Sequence, residues 1–169
     1  MATPRFRTED ACLRSDMEAN VTIGVLCNRE VVVTSPDTSA GEAAELMRLQ
    51  HVGDLVVVEE RGGEAYPVGI VTDRDLVVEV MAQKVDPNAV TVKELMTRNL
   101  ETVRDTTDFW DALSHMRACG VRRIPVVNAR GGLEGIFTFD DALEFVAEGL
   151  VDLVKLVGRQ IDQERSARE

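Results

Sequence analysis

Few side chains in this sequence are of the types that perform catalysis or hold a transition metal. It contains two histidines, His51 and His115, and three cysteines, Cys12, Cys27 and Cys119. We assign neither histidine a Cys or His partner at ligand spacing, so we expect no metal site and two histidines on helix surfaces. An odd number of cysteines without paired spacing indicates inert thiols in a reducing compartment. Phosphate-loop, Gly-x-Ser-x-Gly and His-Glu-x-x-His motifs are absent, which predicts a protein that is not an enzyme.

Other polar side chains lie where apolar, β-branched runs give way to helical patterns. The segments GIVTDRD at 69–75 and GIFTFDD at 135–141 each place a threonine three residues before an aspartate. Taken alone, a threonine or aspartate just before a helix is typically an N-cap, whose side chain accepts a hydrogen bond from an exposed amide. Arg122 and Arg123 stand immediately before another apolar run, and such a pair alone is typical of solvated surface.

These segments recur because the sequence is duplicated. Residues 21–63 match residues 90–132 at 14 of 43 positions without a gap, a shift of 69 residues. Three further residues in the first copy then change the shift to 66, which aligns the two Thr-x-x-Asp segments. Chance identity would give only a few matches, so we interpret the chain as a tandem repeat.

Each copy carries the pattern of a short helical piece followed by strand, helix, strand, strand and helix. Runs of β-branched residues at 55–58 and 124–127 predict strands buried on both faces, and a Gly-Gly turn follows each. A unit of about 60 residues buries too little surface alone, so we expect the two copies to pack about a pseudo-twofold axis. Leucines and valines at helical spacing over 140–163 predict a long amphipathic helix, with Gly149 and Gly158 expected to bend or end it.

The predicted fold class is therefore α/β (α+β), with two β-α-β-β-α repeats and a C-terminal amphipathic helix. The first long helix of each repeat is expected to begin at a polar N-cap, namely Thr38 or Ser39 in the first and Thr107 or Asp108 in the second. We divide the chain into a flexible N-terminal arm (1–18), a first repeat (19–84), a linker (85–89), a second repeat (90–148) and a C-terminal helix and tail (149–169).

The order and spacing of these segments resemble a known family. LMT at 95–97, VRRIPVV at 121–127 and the two GI-x-T-x-x-D segments resemble the cystathionine β-synthase (CBS) domain. Two such domains in tandem resemble the paired CBS, or Bateman, module, and the resemblance covers residues 21–147. It implies a regulatory module that binds AMP, ADP or ATP at two pseudo-equivalent sites in the cleft between the repeats. No cofactor is then required, and Mg²⁺ would accompany ATP.

The resemblance carries the family's Thr-x-x-Asp motif onto Thr72 and Asp75 and onto Thr138 and Asp141. The aspartate would accept hydrogen bonds from both ribose hydroxyls of a nucleotide. The threonine hydroxyl and the adjacent amides at the start of the helix would donate to its phosphate. These four residues are therefore candidates for ligand binding, in addition to capping their helices.

The family often places basic residues against the phosphates, which here would be Arg122 and Arg123. Guanidinium groups can bind phosphate oxygens in a bidentate way. The first copy has Gly53 and Asp54 at the equivalent positions, and the carboxylate of Asp54 would repel a phosphate. We therefore predict an asymmetric pair, with one competent site and one that is weak or empty.

Three further residues complete the candidate site. Val33 and Val121 are expected along the aliphatic walls that enclose the adenine, and Arg74 is a candidate contact for a phosphate or a partner. An alternative hypothesis is a scaffold for dimerisation or partner docking that binds no nucleotide. Other ligands of the family, S-adenosylmethionine and NAD, lie between these two hypotheses. The family also implies a homodimer, and the regulated protein is expected to be a separate chain.

Charge and hydropathy narrow the classes of partner. The net charge is −11 and the pI is near 4.7, with no basic stripe, which disfavours nucleic acid. No run approaches the roughly 20 apolar residues that a membrane span needs. The first residues lack the continuous apolar core of a secretory signal. We therefore expect no membrane association and a cytoplasmic location.

Overall fold

The duplication in the sequence corresponds to two three-stranded sheets, one in each repeat. The computed structural model describes residues 21–97 and 99–166, with side chains to residue 159, so the expected flexible arm at 1–18 lies outside the described residues. In each sheet the strands lie in chain order, the first pair parallel and the second antiparallel. The register is duplicated too, because Thr34 pairs with Val57, and Val103 pairs with Val126, 69 residues further along.

The elements follow the same order twice. The first repeat contains α1 (Ile23–Leu26), β1 (Val33–Thr34), α2 (Ala40–Gln50), β2 (Asp54–Arg61), β3 (Glu64–Thr72) and α3 (Asp73–Asp75), which continues as a π-helical segment (Leu76–Met81). The second contains α4 (Val92–Leu95), β4 (Val103–Arg104), α5 (Phe109–Cys119), β5 (Arg123–Val127), β6 (Leu133–Thr138) and α6 (Phe139–Ser166). This order confirms the predicted fold class. Of the expected N-caps, Ser39 and Asp108 are the residues that accept from the first turns of α2 and α5.

The short helices α1 and α4 are exchanged between the repeats. Ile23 of α1 is fully buried in the core of the second repeat, where Phe109 also packs. Val92 of α4 is fully buried in the core of the first repeat. Backbone hydrogen bonds fix both exchanges, since Ile23 N donates to Thr107 O at 2.9 Å and Val92 N donates to Thr38 O at 2.8 Å. Each core is therefore completed by a segment from the other half of the duplication.

A third apolar cluster joins the two sheets. Its buried members are Val56, Val58, Ile70 and Ile136. At its edge the carboxylate of Glu64 accepts a hydrogen bond from Asn128 Nδ2 at 2.6 Å and forms an ion pair with Arg130 at 3.1 Å. Hydrogen bonds from Asn128 and Arg130 lower the pKa of the Glu64 carboxyl. The contact between the repeats thus has an apolar centre and a polar edge.

The last helix, α6, is 28 residues long and continues through Gly149 and Gly158. Of the expectation that these glycines bend or end the helix, the second part is wrong, since one unbroken helix runs through both. A glycine in a helix interior costs only about 1 kcal/mol relative to alanine, which the strong helix formers on either side offset. Among the described residues, no helix combines the length and the hydropathy needed to cross a bilayer.

Gly149→Ala is expected to raise the free energy of unfolding by about 0.5–1 kcal/mol, because alanine forms helix more readily than glycine. An added Cβ at this position meets no atom within 4 Å. Equilibrium urea denaturation measures the change. Gly62→Ala is the matched control, because its Cβ position is also open but its φ of +62° is strained for alanine, so stability should fall. A Gly149→Ala protein with no gain would contradict a continuous α6.

Candidate functional site

The two Thr-x-x-Asp motifs lie where the last strand of each sheet leads into a helix, and each forms a capping box. At the end of β3, Asp75 N donates to Thr72 Oγ1 at 3.3 Å, and Thr72 N donates to Asp75 Oδ2 at 2.8 Å. At the end of β6, Asp141 N donates to Thr138 Oγ1 at 3.2 Å, and Thr138 N donates to Asp141 Oδ2 at 2.7 Å. The capping role expected of these residues is therefore confirmed.

Capping occupies only one oxygen of each aspartate. Thr72 donates both its amide and its hydroxyl to Oδ2 of Asp75, and Thr138 does the same to Oδ2 of Asp141. Within the described part of the chain, Oδ1 of each aspartate accepts no hydrogen bond. Both carboxylates are half-buried, and each aspartate follows its threonine by three residues, about one helical turn. Each motif is thus held rigidly and retains one carboxylate oxygen that can accept from a ligand. The expectation that the threonine hydroxyls donate to a phosphate is wrong for this structure, because each hydroxyl proton is donated to the aspartate.

One cavity, of about 210 Å³, lies at the junction of the repeats beside Thr72, and we name it the Thr72 pocket. The first repeat contributes the end of β3. The second repeat contributes the segment that leads into β4 and the residues that lead into β5. Its lining residues are Ile70, Thr72, Thr97, Asn99, Leu100, Glu101, Val121, Arg122 and Arg123. The pocket therefore combines an apolar wall with two guanidinium groups.

A second cavity, of about 290 Å³, lies beside Thr138, and we name it the Thr138 pocket. Here the second repeat contributes the end of β6 and the start of α6, and the first repeat contributes the residues that lead into β2. Its lining residues are Val52, Gly53, Asp54, Arg122, Arg123, Thr138 and Asp140. The two pockets are related by the duplication, but the second has two carboxylates where the first has one.

The arginines expected near a phosphate line both pockets, and they are held differently. Arg123 forms an ion pair with Asp54, its own equivalent in the first repeat, so this contact crosses the pseudo-twofold axis. The guanidinium of Arg122 instead lies over the ring of Phe139, 5.9 Å from its centroid. Among the described residues, Arg122 makes no ion pair. Within the described part of this junction, its charge therefore remains available to an anion.

The remaining candidate residues divide between these pockets and other surfaces. Val121 lines the Thr72 pocket. Val33 lines neither pocket, but a separate cavity of about 630 Å³ that also includes Lys93. Arg74 is exposed on α3 and lines neither pocket. Thr72, the arginine pair and Val121 therefore lie together in one pocket, and Thr138 lies with the same arginines in the other. The predicted site residues that line neither pocket are Asp75, Asp141, Val33 and Arg74.

Sequence reasoning missed one group of chemically active side chains. His115 does have a partner, because Cys119 lies one helical turn further along α5, with its Sγ 3.8 Å from His115 Nε2. The carboxylate of Glu101 lies 3.2 Å from the same nitrogen. The expectation that neither histidine has a partner is therefore wrong for His115, although the four-residue spacing to Cys119 is visible in the sequence. His51 is the left-handed C-cap of α2.

Comparison with known proteins gives consistent results. The family model of the CBS domain matches residues 23–82 and 92–148. An uncharacterized protein of Methanopyrus kandleri is 35% identical over 125 residues, which cover 74% of this chain and 62% of that protein, so the chain spans less than two thirds of this relative. The crystal structure of an uncharacterized conserved protein from Pyrococcus horikoshii has a TM-score of 0.65 at 31% identity, covering 77% of this chain and 95% of that one. The crystal structure of CBSX2 in complex with AMP has a TM-score of 0.63 at 30% identity, covering 75% and 96%.

Proposed function

This chain belongs to the CBS domain family, as a tandem pair, and from that premise we propose that it is a regulatory module that binds an adenine nucleotide. The ligand class is AMP, ADP or ATP, with Mg²⁺ accompanying ATP. The observation that carries the proposal is the Thr72 pocket, which joins a preorganised Thr-x-x-Asp motif of one repeat to an apolar wall and two arginines of the other. The AMP complex of CBSX2, which is 30% identical to this chain, supports the ligand class.

The chemistry of the Thr72 pocket matches the three parts of a nucleotide. Ile70 and Leu100 offer aliphatic contacts to the adenine. Asp75 does not line the pocket itself but follows the lining residue Thr72 by one helical turn, and we propose its Oδ1, which capping leaves free, as the acceptor for the ribose hydroxyls. Arg122 offers its guanidinium to the phosphate. The net charge of −11 would repel a phosphate from the protein as a whole. A guanidinium without an ion-pair partner in the pocket would offset that repulsion locally.

We propose that the two pockets bind unequally. The Thr138 pocket places Asp54 and Asp140 beside the same arginines. Asp54 already neutralises Arg123, and a phosphate there would meet both carboxylates. The Thr72 pocket has one carboxylate, Glu101, beside the arginine pair. The competent site is therefore the one at Thr72, and the site at Thr138 is weak or empty.

Regulation would act through the junction itself. A ligand shifts an equilibrium only through its different affinities for two arrangements of the protein. A nucleotide in the Thr72 pocket touches both repeats, so its binding depends on how they pack against each other. The regulated protein is proposed to be a separate chain. The proposed homodimer has a candidate surface on α6, where Leu143, Leu150, Leu153 and Val154 are all more than half exposed.

A thermal-shift screen with AMP, ADP, ATP, NAD and S-adenosylmethionine tests the proposal, and calorimetry follows any ligand that shifts the melting temperature. A ligand at about 100 times its Kd should add about 2.7 kcal/mol to the free energy of unfolding. One adenine nucleotide is expected to bind with a stoichiometry of one. No shift with any of these compounds would favour the scaffold hypothesis instead.

Two matched variants locate the site. Asp75→Asn and Asp141→Asn alter equivalent capping boxes, so a loss of binding confined to Asp75→Asn cannot come from the loss of a capping box alone. Asp75→Asn is expected to weaken nucleotide binding, and Asp141→Asn to leave it nearly unchanged. Two equal sites in the titration, or equal losses in the two variants, would contradict the proposed asymmetry.

A further inference from the structure

Three side chains of different donor types converge at one end of the second repeat. His115 and Cys119 lie on consecutive turns of α5, and Glu101 lies in the segment that leads into β4. The same atom, His115 Nε2, is 3.2 Å from Glu101 Oε2 and 3.8 Å from Cys119 Sγ. The three donor atoms all lie within 4.8 Å of one another. We propose that Glu101, His115 and Cys119 form a binding site for a divalent transition-metal ion of the zinc type.

The distances suit such an ion without a large rearrangement. Bonds of about 2.0 Å to nitrogen or oxygen and about 2.3 Å to sulfur, at tetrahedral angles, place neighbouring donor atoms about 3.3–3.6 Å apart. Thiolate, imidazole and carboxylate together favour Zn²⁺ over Mg²⁺ or Ca²⁺, which prefer oxygen ligands. Three protein ligands leave a fourth position for water. The site is also accessible, since the side chains of His115 and Glu101 are 39% and 48% exposed.

The first repeat shows that the fold does not require these donors. A shift of 69 residues places Val32 opposite Glu101 and Leu46 opposite His115. Both aliphatic side chains pack against the core of the first repeat. The second repeat therefore has an acid and an imidazole in contact at two positions where the first repeat has aliphatic side chains. An exposed His–Glu ion pair contributes little stability by itself. Stability therefore does not explain why the second repeat has Glu101 and His115 at positions that are aliphatic in the first.

The metal site adjoins the proposed nucleotide site through one shared residue. Glu101 is a ligand of the metal site and also lines the Thr72 pocket. A bound cation would neutralise the one carboxylate that faces the arginine pair there. Metal binding is therefore expected to raise the affinity of the Thr72 pocket for a phosphate-bearing ligand. This coupling rests on the proposed function, whereas the metal site itself does not.

Zinc titration of the full chain, without a polyhistidine tag and against a chromogenic chelator, tests the metal site. Wild type is expected to bind one Zn²⁺, and Co²⁺ in its place should give a thiolate charge-transfer band. His115→Leu and Cys119→Gln introduce the residues of the first repeat and should each lower zinc affinity by more than about tenfold, since the loss of an outer-sphere partner alone costs about 10- to 100-fold. Glu101→Val should also weaken zinc binding.

Two control variants remove an imidazole and a thiol elsewhere. His51→Asn retains a residue tolerated in the left-handed conformation, and Cys12→Ser changes a residue outside the described part of the chain. Both should bind zinc as wild type does. Circular dichroism and melting temperature confirm that every variant is folded. Absence of stoichiometric zinc binding, or unchanged affinity in both His115→Leu and Cys119→Gln, would overturn the site.

Calorimetry with AMP, in zinc and then in chelator, tests the coupling separately. Zinc is expected to tighten AMP binding about fivefold in wild type, within the usual range of coupling between sites, and to have no effect in His115→Leu. Equal AMP affinities with and without zinc would overturn the coupling and leave the metal site intact. Absence of AMP binding under both conditions would contradict the proposed function instead.

Discussion

Replacing Ile23 with alanine is expected to destabilise the second repeat, although Ile23 belongs to the first repeat in sequence. The side chain is fully buried, and it packs in the cluster that contains Phe109 and Phe137. Truncation of a buried isoleucine to alanine costs about 2–5 kcal/mol of the free energy of unfolding. This is a large share of the roughly 5–15 kcal/mol that stabilises a typical domain. A four-residue helix such as α1 is not stable without its tertiary contacts, so the loss is expected to detach the segment as well.

Native-state hydrogen exchange shows which repeat loses stability. The amides of β5 and β6 are expected to lose protection before those of β2 and β3. Val25→Ala is the matched control, because Val25 lies in the same short helix and is 79% exposed; its effect should stay within about 0.5 kcal/mol. Earlier loss of protection in β2 and β3, or the same loss in both sheets, would contradict the exchange of α1 between repeats.

The helices and strands of this fold are encoded in local sequence patterns. The predictions based on those patterns are the ones that the structure confirms. Identical residues 69 positions apart predict the same strand order and register twice, and the pairs Thr34–Val57 and Val103–Val126 have it. The β-branched runs predict the central strands because only side chains that pack on both faces suit a covered sheet. The threonines of the Thr-x-x-Asp motifs predict helix starts because their hydroxyls accept from exposed amides.

The exchange of α1 and α4 could not be predicted in the same way. Periodicity and capping report which face of a segment is buried, but not which half of a duplicated protein buries it. An apolar residue at position 23 or 92 is compatible with burial in either repeat. Hydrogen bonds such as Ile23 N to Thr107 O decide the choice, and they join residues 84 positions apart in sequence. Local patterns carry no information over that distance.

The candidate site was predictable to the extent that it depends on the duplication. Matching positions near a twofold axis approach one another, so the pair Asp54 and Arg123, which match at a shift of 69, is a natural contact across that axis. The position of Glu101 was not predictable, because its side chain lies in an irregular segment before β4. Its role in the Thr72 pocket and beside His115 depends on how the two repeats pack.

Arg122→Ala is expected to weaken adenine-nucleotide binding by about 10- to 100-fold. Hydrogen bonds to charged groups contribute about 1.5–3 kcal/mol each, and every 1.4 kcal/mol is about tenfold in Kd. Arg122 lines the Thr72 pocket and, within the described residues, has only the ring of Phe139 as a partner for its charge. The substitution therefore removes an available cation without leaving an unpaired carboxylate behind.

The neighbouring arginines make this prediction specific. Arg74→Ala removes an exposed arginine that lines neither pocket, so its nucleotide affinity should equal that of wild type. Arg123→Ala leaves Asp54 unpaired at the junction, so its loss of affinity should shrink when Asp54→Asn is added, whereas the loss in Arg122→Ala should not. Calorimetry on the four single variants, Asp54→Asn included, and the two double variants measures these differences. If Arg74→Ala weakened binding as much as Arg122→Ala, the effect would come from net charge alone, and the phosphate would not lie at Arg122.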